Sequence, residues 1–238
     1  HYMDPHRPYR KRAPWYAPME GELLDSISAY DSEISYVDQK LAELYDLLSW
    51  GENTLLIITS DHGEEFLDHG GWDHGRTLYA EVVNVPLVVH STVGVRGGEP
   101  PPGGGRRVGE PVSLLDILPT MREAAGLPAG ESEQGVSILS AITGSGDPPA
   151  SRSFFADLRS PPWFGGRTVH SVTREQQKYI LTLPDVEELY DLRGDPRETD
   201  SLTDVRMDAV VEFRAELGGF LASIPRYGGG TVSYTHLT

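Results

Sequence analysis

The residues richest in chemical potential lie in one run, Asp61-His-Gly-Glu-Glu-Phe-Leu-Asp-His-Gly-Gly-Trp-Asp-His-Gly75. Three Asp-His-Gly triplets fall within these fifteen residues at spacings of seven and five, too unequal for a tandem repeat. An Asp and a His on consecutive residues can face one hard-to-borderline cation if the chain turns there, and Gly63 permits that turn. Gly70, Gly71 and Gly75 would let the chain fold His69 and His74 back toward the same point. The run therefore reads as a metal or catalytic site, against the plainer alternative of a polar surface loop. His69 is equally readable as structural. Glu64 and Glu65 read as solvating the loop or as bracing ligands from behind. A second cluster, His1-Tyr-Met-Asp-Pro-His-Arg-Pro-Tyr9, places His6 between Pro5 and Pro8, whose rings fix the backbone that carries its imidazole. His90, His170 and His236 have no such company and read as structural or incidental.

The elements that must position these groups are legible from periodicity. Leu23, Ile27, Tyr30, Ile34, Val37, Leu41, Leu44 and Leu48 recur every three or four residues, which predicts one apolar face of a long helix over 20–50, stopped at Gly51-Glu52-Asn53. The run 54–60 is apolar nearly throughout and predicts a strand buried on both faces, as in a parallel sheet; 85–90 predicts a second. The first triplet follows the 54–60 strand directly, and ligands bind at the carboxyl ends of strands in open α/β sheets. Residues 94–109, rich in Gly and Pro, predict an exposed loop. Ser113 and Asp116 form a capping-box pattern for a helix that Pro119 should kink and Gly126 with Pro128 should end. Short β-branched and aromatic runs at 152–157, 167–173, 177–183 and 187–192 predict a small antiparallel sheet, with a closing helix over 204–224.

The chain has 238 residues and a net charge of −16, from 36 acidic and 20 basic side chains. Residues 20–73 hold 14 of those acids and a single base, Lys40. That surface repels a phosphate backbone and argues against nucleic-acid partners. It suits cations, although a solvated helix face accounts for most of the acids. With no Cys, the chain holds no disulfide, thiolate metal site or cysteine nucleophile. Its longest apolar run, Leu55–Ile58, is far short of the ~20 residues that span a bilayer.

Six segments in order resemble the second half of a sulfatase of the alkaline phosphatase superfamily: DPHRPY (4–9), YDSEISYVDQKLAELYDLL (30–48), LIITSDHGEEFLDHG (56–70), HGRTLYAEVVNVPLVV (74–89), VSLLDILPTMREAAG (112–126) and LYDLRGDPRETDSL (189–202). TSDHGE followed by HGxxLYxExxxVPL is the most specific part, and the likeness runs over residues 1–222. The resemblance implies an alkaline phosphatase-like α/β sandwich with a small C-terminal antiparallel sheet and closing helix. It also implies hydrolysis of a small-molecule or glycan sulfate ester by a formylglycine made in an upstream CxPSR-type motif, which this chain lacks. A divalent cation, calcium in most members, neutralises sulfate oxygens while a His protonates the leaving alcohol.

Carried over by residue, Asp61 matches the carboxylate metal ligand and His62 the next ligand position, where many sulfatases have Asn. His6 matches the His near the bridging oxygen. His74 stands where sulfatases usually carry a sulfate-binding Lys. His62 resembles the phosphonate and phosphodiester hydrolases and softens the site toward Mn²⁺ or Zn²⁺. The same scaffold therefore leaves open a phosphodiester or phosphonate monoester hydrolase, or a phosphoglycerol transferase. A non-catalytic metal- or glycan-binding domain is a further alternative. Trp163 and Phe164, in a Pro/Gly loop, could stack on sugar but read first as core or hinge. The expected organisation is a catalytic part over 1–150, a small subdomain over 151–227 and a non-native tail over 228–238.

Overall fold

A computed structural model describes residues 1–48, 54–91, 105–131, 133–147 and 151–224. Its elements in order are α1 (Glu22–Leu47), β1 (Leu55–Thr59), β2 (Glu65–Phe66), β3 (Trp72–Asp73), α2 (Ala80–Val83), β4 (Leu87–Ser91), a 3₁₀ turn (Leu114–Asp116), α3 (Ile117–Ala124), α4 (Leu139–Thr143), β5 (Phe154–Arg159), a second 3₁₀ turn (Pro162–Phe164), β6 (Thr168–Arg174), β7 (Gln177–Thr182), β8 (Val186–Asp191) and α5 (Met207–Ser223). The expected helix stop at 51–53, most of the 94–109 loop, the 228–238 tail and His236 lie outside the described residues. No helix among the described residues is long and apolar enough to cross a membrane. The chain divides into two compact units, residues 1–73 with 85–150 and residues 74–84 with 151–238.

In the first unit, α1 forms as predicted, but not the face it was expected to bury. Its buried residues are Ala29, Ser32 and Glu33, while Ile34 and Leu44 of the apolar stripe stay exposed. The cause is the segment ahead of it, which lies along the polar side. Arg10 N and Arg12 Nε each donate to the Glu33 carboxylate at 2.7 Å, and Arg12 N donates to Ser32 Oγ at 3.0 Å. These charge-assisted bonds offset the burial of Glu33. Farther up the helix, Lys11 Nζ, Tyr16 Oη and Met19 N all donate to Asp25 and hold its carboxyl down to about 2. The residues before α1 are thus fastened by polar contacts, and with them the placement of His6.

β1 pairs with β4, in antiparallel sense, with Ile57 opposite Val89. This corrects the expectation of a parallel, doubly buried strand. A continuous apolar run reports that side chains leave water on both faces, not which way the neighbouring strand points. Here each strand has only the other as its hydrogen-bonded partner among the described residues, so both remain half-buried. Thr59 Oγ1 donates to Pro86 O at 2.8 Å and fixes the end of β1. The Ser113–Asp116 capping box is present, and the fully buried Asp116 also accepts Val136 N at 2.9 Å. Pro119 sits in the first turn of α3, where its missing N–H leaves no bond unmade, rather than kinking a longer helix.

The second unit is a four-stranded antiparallel sheet in the order β5-β6-β7-β8, close to the predicted strands. Its two faces follow the period-two alternation. One face, with Val172, Tyr179 and Leu189, is covered by Ala209, Val210, Phe213 and Leu217 of α5. The other carries Val169, Ile180 and Tyr190 and is covered by Leu78. Leu78 belongs to the segment that follows the third triplet, so residues 74–84 are part of this unit's core.

Candidate active site

The end of β1 turns sharply, and local hydrogen bonds hold the turn. Ser60 Oγ donates to His62 O at 2.6 Å, and His62 N donates to Asp61 Oδ1 at 3.1 Å. His62 Nδ1 lies 2.9 Å from Gly63 O. A carbonyl oxygen can only accept, so Nδ1 is the donor, which in the neutral imidazole leaves the lone pair on Nε2. Nε2 is 3.8 Å from Asp61 Oδ1, and the Asp61 side chain is 74% exposed. Two atoms bound to one divalent ion at ~2.0–2.4 Å lie about 3–3.5 Å apart, so a few tenths of an ångström brings this pair into ligand geometry. A backbone carbonyl behind the imidazole is the arrangement that fixes a metal-binding tautomer. The donors of Asp61 and His62 thus fit a divalent cation.

His6 stands beside them. Its ring centroid is 6.5 Å from that of His62, edge-on at 74°, and its Nδ1 is 2.9 Å from Arg7 O. Within the first unit the structure therefore brings His6, Asp61 and His62 together. His74, the fourth expected site residue, is buried and opens the second unit. His69 is half-buried, and its N–H donates to Glu65 Oε1 at 3.2 Å.

Glu64 and Glu65 do not solvate the loop. Both are buried. Glu65 Oε1 also accepts Gly71 N at 2.6 Å, and a Cβ at residue 71 would lie 2.6 Å from Glu65 Oε2, so a side chain there would push that carboxylate aside. Glu64 accepts the Tyr9 hydroxyl at 2.7 Å. Burial, and then Glu64 itself, push the Tyr9 phenol well above its ordinary range, so it stays a donor. Glu64 and Asp73 present carboxylate oxygens within 4.8 Å of each other, and Arg7 Nη1 reaches Asp73 at 2.9 Å. The site residues that sequence reasoning left without a role are thus Arg7, Tyr9 and Asp73. The signal for them was present, because Arg7 and Tyr9 lie in DPHRPY and Asp73 opens the third triplet. Tyr9→Phe should destabilise the chain by about 1–3 kcal/mol in urea unfolding, since it leaves buried Glu64 one donor short. An unchanged midpoint would contradict that role.

The sulfatase family profile matches residues 1–127. The uncharacterized sulfatase YidJ of Escherichia coli K12 is 32% identical over 172 residues, which is 71% of this chain and 32% of that protein. A choline-sulfatase of Rhizobium meliloti is 28% identical over 195 residues, covering 78% of this chain and 34% of its own length. Among solved structures, the phosphonate monoester hydrolase of Agrobacterium radiobacter superposes with a TM-score of 0.68 at 23% identity, over 84% of this chain and 42% of that one. The chain thus spans about a third of the length of these curated relatives. Its α/β architecture, with a small C-terminal antiparallel sheet and closing helix, is that of the alkaline phosphatase-like fold. On the profile match to more than half its residues, the chain belongs to the sulfatase family.

Proposed function

We propose that this chain supplies the cation-binding part of the active site of a sulfate ester hydrolase. The observation that carries this reading is the pair at the end of β1, Asp61 Oδ1 and His62 Nε2 at 3.8 Å, with the His62 tautomer fixed by Gly63 O. These two side chains hold a divalent cation, calcium by resemblance, or Mn²⁺ or Zn²⁺ through the His62 nitrogen. Such a cation, when bound, neutralises charge on the sulfate oxygens. His6 delivers a proton to the departing alcohol oxygen, as an imidazole can near neutrality. His74 adds positive charge to the sulfate when protonated. The nucleophile, a formylglycine by resemblance, belongs to the remainder of a longer protein, since this chain has no Cys and no Ser in a CxPSR context.

A phosphonate or phosphodiester hydrolase is the second reading, favoured by one feature, His62 in the place where many sulfatases have Asn. His74→Lys in the intact protein separates the roles of that side chain. If His74 serves as a cation, turnover of 4-nitrophenyl sulfate is kept or raised. A fall of about 100-fold or more would assign His74 to proton transfer or metal ligation instead. Turnover of a phosphonate monoester well above the sulfate ester by the unaltered protein would favour the second reading.

A further inference from the structure

We propose that Arg12 is a positioning residue for His6, acting through Asp4, an inference that rests on the reading of His6 above as the group that protonates the leaving alcohol. Residues 1–9 form neither helix nor strand, so no regular backbone ladder sets where the imidazole stands. An acid that must meet one oxygen atom needs its support held by other side chains.

The coupling begins in the turn that carries His6. His6 N donates to Met3 O at 3.1 Å, which closes the chain over Asp4 and Pro5. Asp4 therefore shares a closed turn with His6, and where its carboxylate is held, the turn follows. Arg12 Nη2 donates to Asp4 Oδ1 at 2.7 Å. Elsewhere on the same guanidinium, Nε donates to Glu33 Oε2 at 2.7 Å, and the Glu33 side chain on α1 is wholly buried. The guanidinium carbon also lies 4.1 Å from the centre of the Tyr36 ring, one turn farther along that helix. One planar cation is thus anchored twice on α1 and offers its remaining edge to the His6 turn.

The Arg12–Asp4 pair does little for stability. Its side chains are 22% and 27% exposed, and an ion pair so open to water contributes little to folding. What it supplies is direction. The guanidinium fork presents Nε and Nη2 at a fixed angle, whereas a lysine ammonium is a single point on a flexible stem.

Beyond His6, the segment is tied to other elements of the same unit, by Arg7 Nη1 to Asp73 and by Tyr9 Oη to Glu64. His6 lies between those ties and the one at Asp4, with its ring 6.5 Å from that of His62. Cutting the Asp4 tie loosens the turn on the Met3 side and leaves the others in place. Proton transfer is sensitive to such freedom, since a misplacement of ~1 Å can cost about 100-fold in rate.

Ring proximity in the full chain gives the first test. With the histidines ¹³C-labelled, the ring protons of His6 and His62 should share a nuclear Overhauser cross-peak. Asp4→Ala should abolish that cross-peak with little change in the thermal midpoint. Asp4→Asn, whose amide oxygen still accepts from Arg12, should keep it. Arg12→Ala should abolish it too, but it also leaves buried Glu33 short of a donor, so Asp4 is the deciding position. In the intact protein, Asp4→Ala should lower kcat for an alkyl sulfate by roughly 10–100-fold with KM within about twofold. It should affect 4-nitrophenyl sulfate far less, because 4-nitrophenolate departs without a proton, and His6→Ala should show the same contrast. A cross-peak absent from the unaltered chain, or undiminished in Asp4→Ala, overturns the positioning role and leaves the acid role of His6 standing. A cross-peak lost in Asp4→Ala, with His6→Ala turning over the alkyl sulfate as the unaltered protein does, removes the acid role and with it the purpose of the clamp.

Discussion

Glu198→Ala is expected to cost the second unit about 3–5 kcal/mol, the largest stability effect of any single side chain described here. Glu198 Oε1 pairs with Lys178 Nζ at 2.7 Å, and both side chains are almost wholly buried, at 0% and 3% exposure. Its Oε2 accepts Ala80 N at 2.5 Å. One carboxylate therefore satisfies a charge on β7 and the first N–H of α2, holding the 74–84 segment in its own unit. Tyr79 Oη adds a bond to Glu188 at 2.6 Å. Burial lowers the pKa of Lys178, with Glu198 opposing that shift. Removing the carboxylate leaves the ammonium buried without its counter-charge, whereas an apolar replacement of both partners is often tolerated. Thermal unfolding should show Glu198→Ala down by roughly 10 °C and the Lys178→Met/Glu198→Gln pair down by much less. A loss under about 1 kcal/mol for the single change would contradict the clamp.

The second large effect is catalytic. In the intact protein, Asp61→Ala should lower sulfate ester turnover by at least about 10³-fold and reduce bound metal together with it. Charge developing on sulfate oxygens has to be met by groups already in place, and on the proposed reading Asp61 would hold the cation that meets it. His62→Ala should lower both readings as well, since the proposal makes its imidazole the second donor atom. Metal content unchanged in Asp61→Ala, measured by atomic emission on the purified protein, would remove Asp61 from the ligand set whatever the activity.

Much of this was legible in the sequence, and the misses share physical causes. The four strands of the second unit, the closing helix and the Ser113–Asp116 box follow from local alternation, turn residues and capping chemistry, which tertiary packing did not override. The buried face of α1 was not legible, because Glu33 reads as a solvated charge until Arg10 and Arg12 supply its partners from another segment. Lys178 is the same case, invisible without Glu198 twenty residues on. The direction of β1 against β4 leaves no mark in an apolar pattern. That residues 74–84 join the later sheet depends on Leu78 meeting Val169 and Ile180, contacts a linear reading does not contain. At the site, residue types and adjacency singled out Asp61, His62 and His6 as candidates, and the fold sets the His6 and His62 rings 6.5 Å apart. Tyr9 and Asp73 stood in motifs the sequence displays, but their partners, Glu64 and Arg7, emerge only from the fold.

Asp61 and His62 are the proposed cation-binding pair, and everything else at the site depends on that role. Its most direct test is a Zn²⁺ titration of the chain followed by the imidazole ¹⁵N resonances of His62. Nε2 is expected to move on metal binding while Nδ1 keeps its proton toward Gly63 O, and Asp61→Ala should weaken the titration at least about tenfold. A His62 ring that stays unchanged while Zn²⁺ binds elsewhere, for instance at the Glu64 and Asp73 carboxylates, would contradict it.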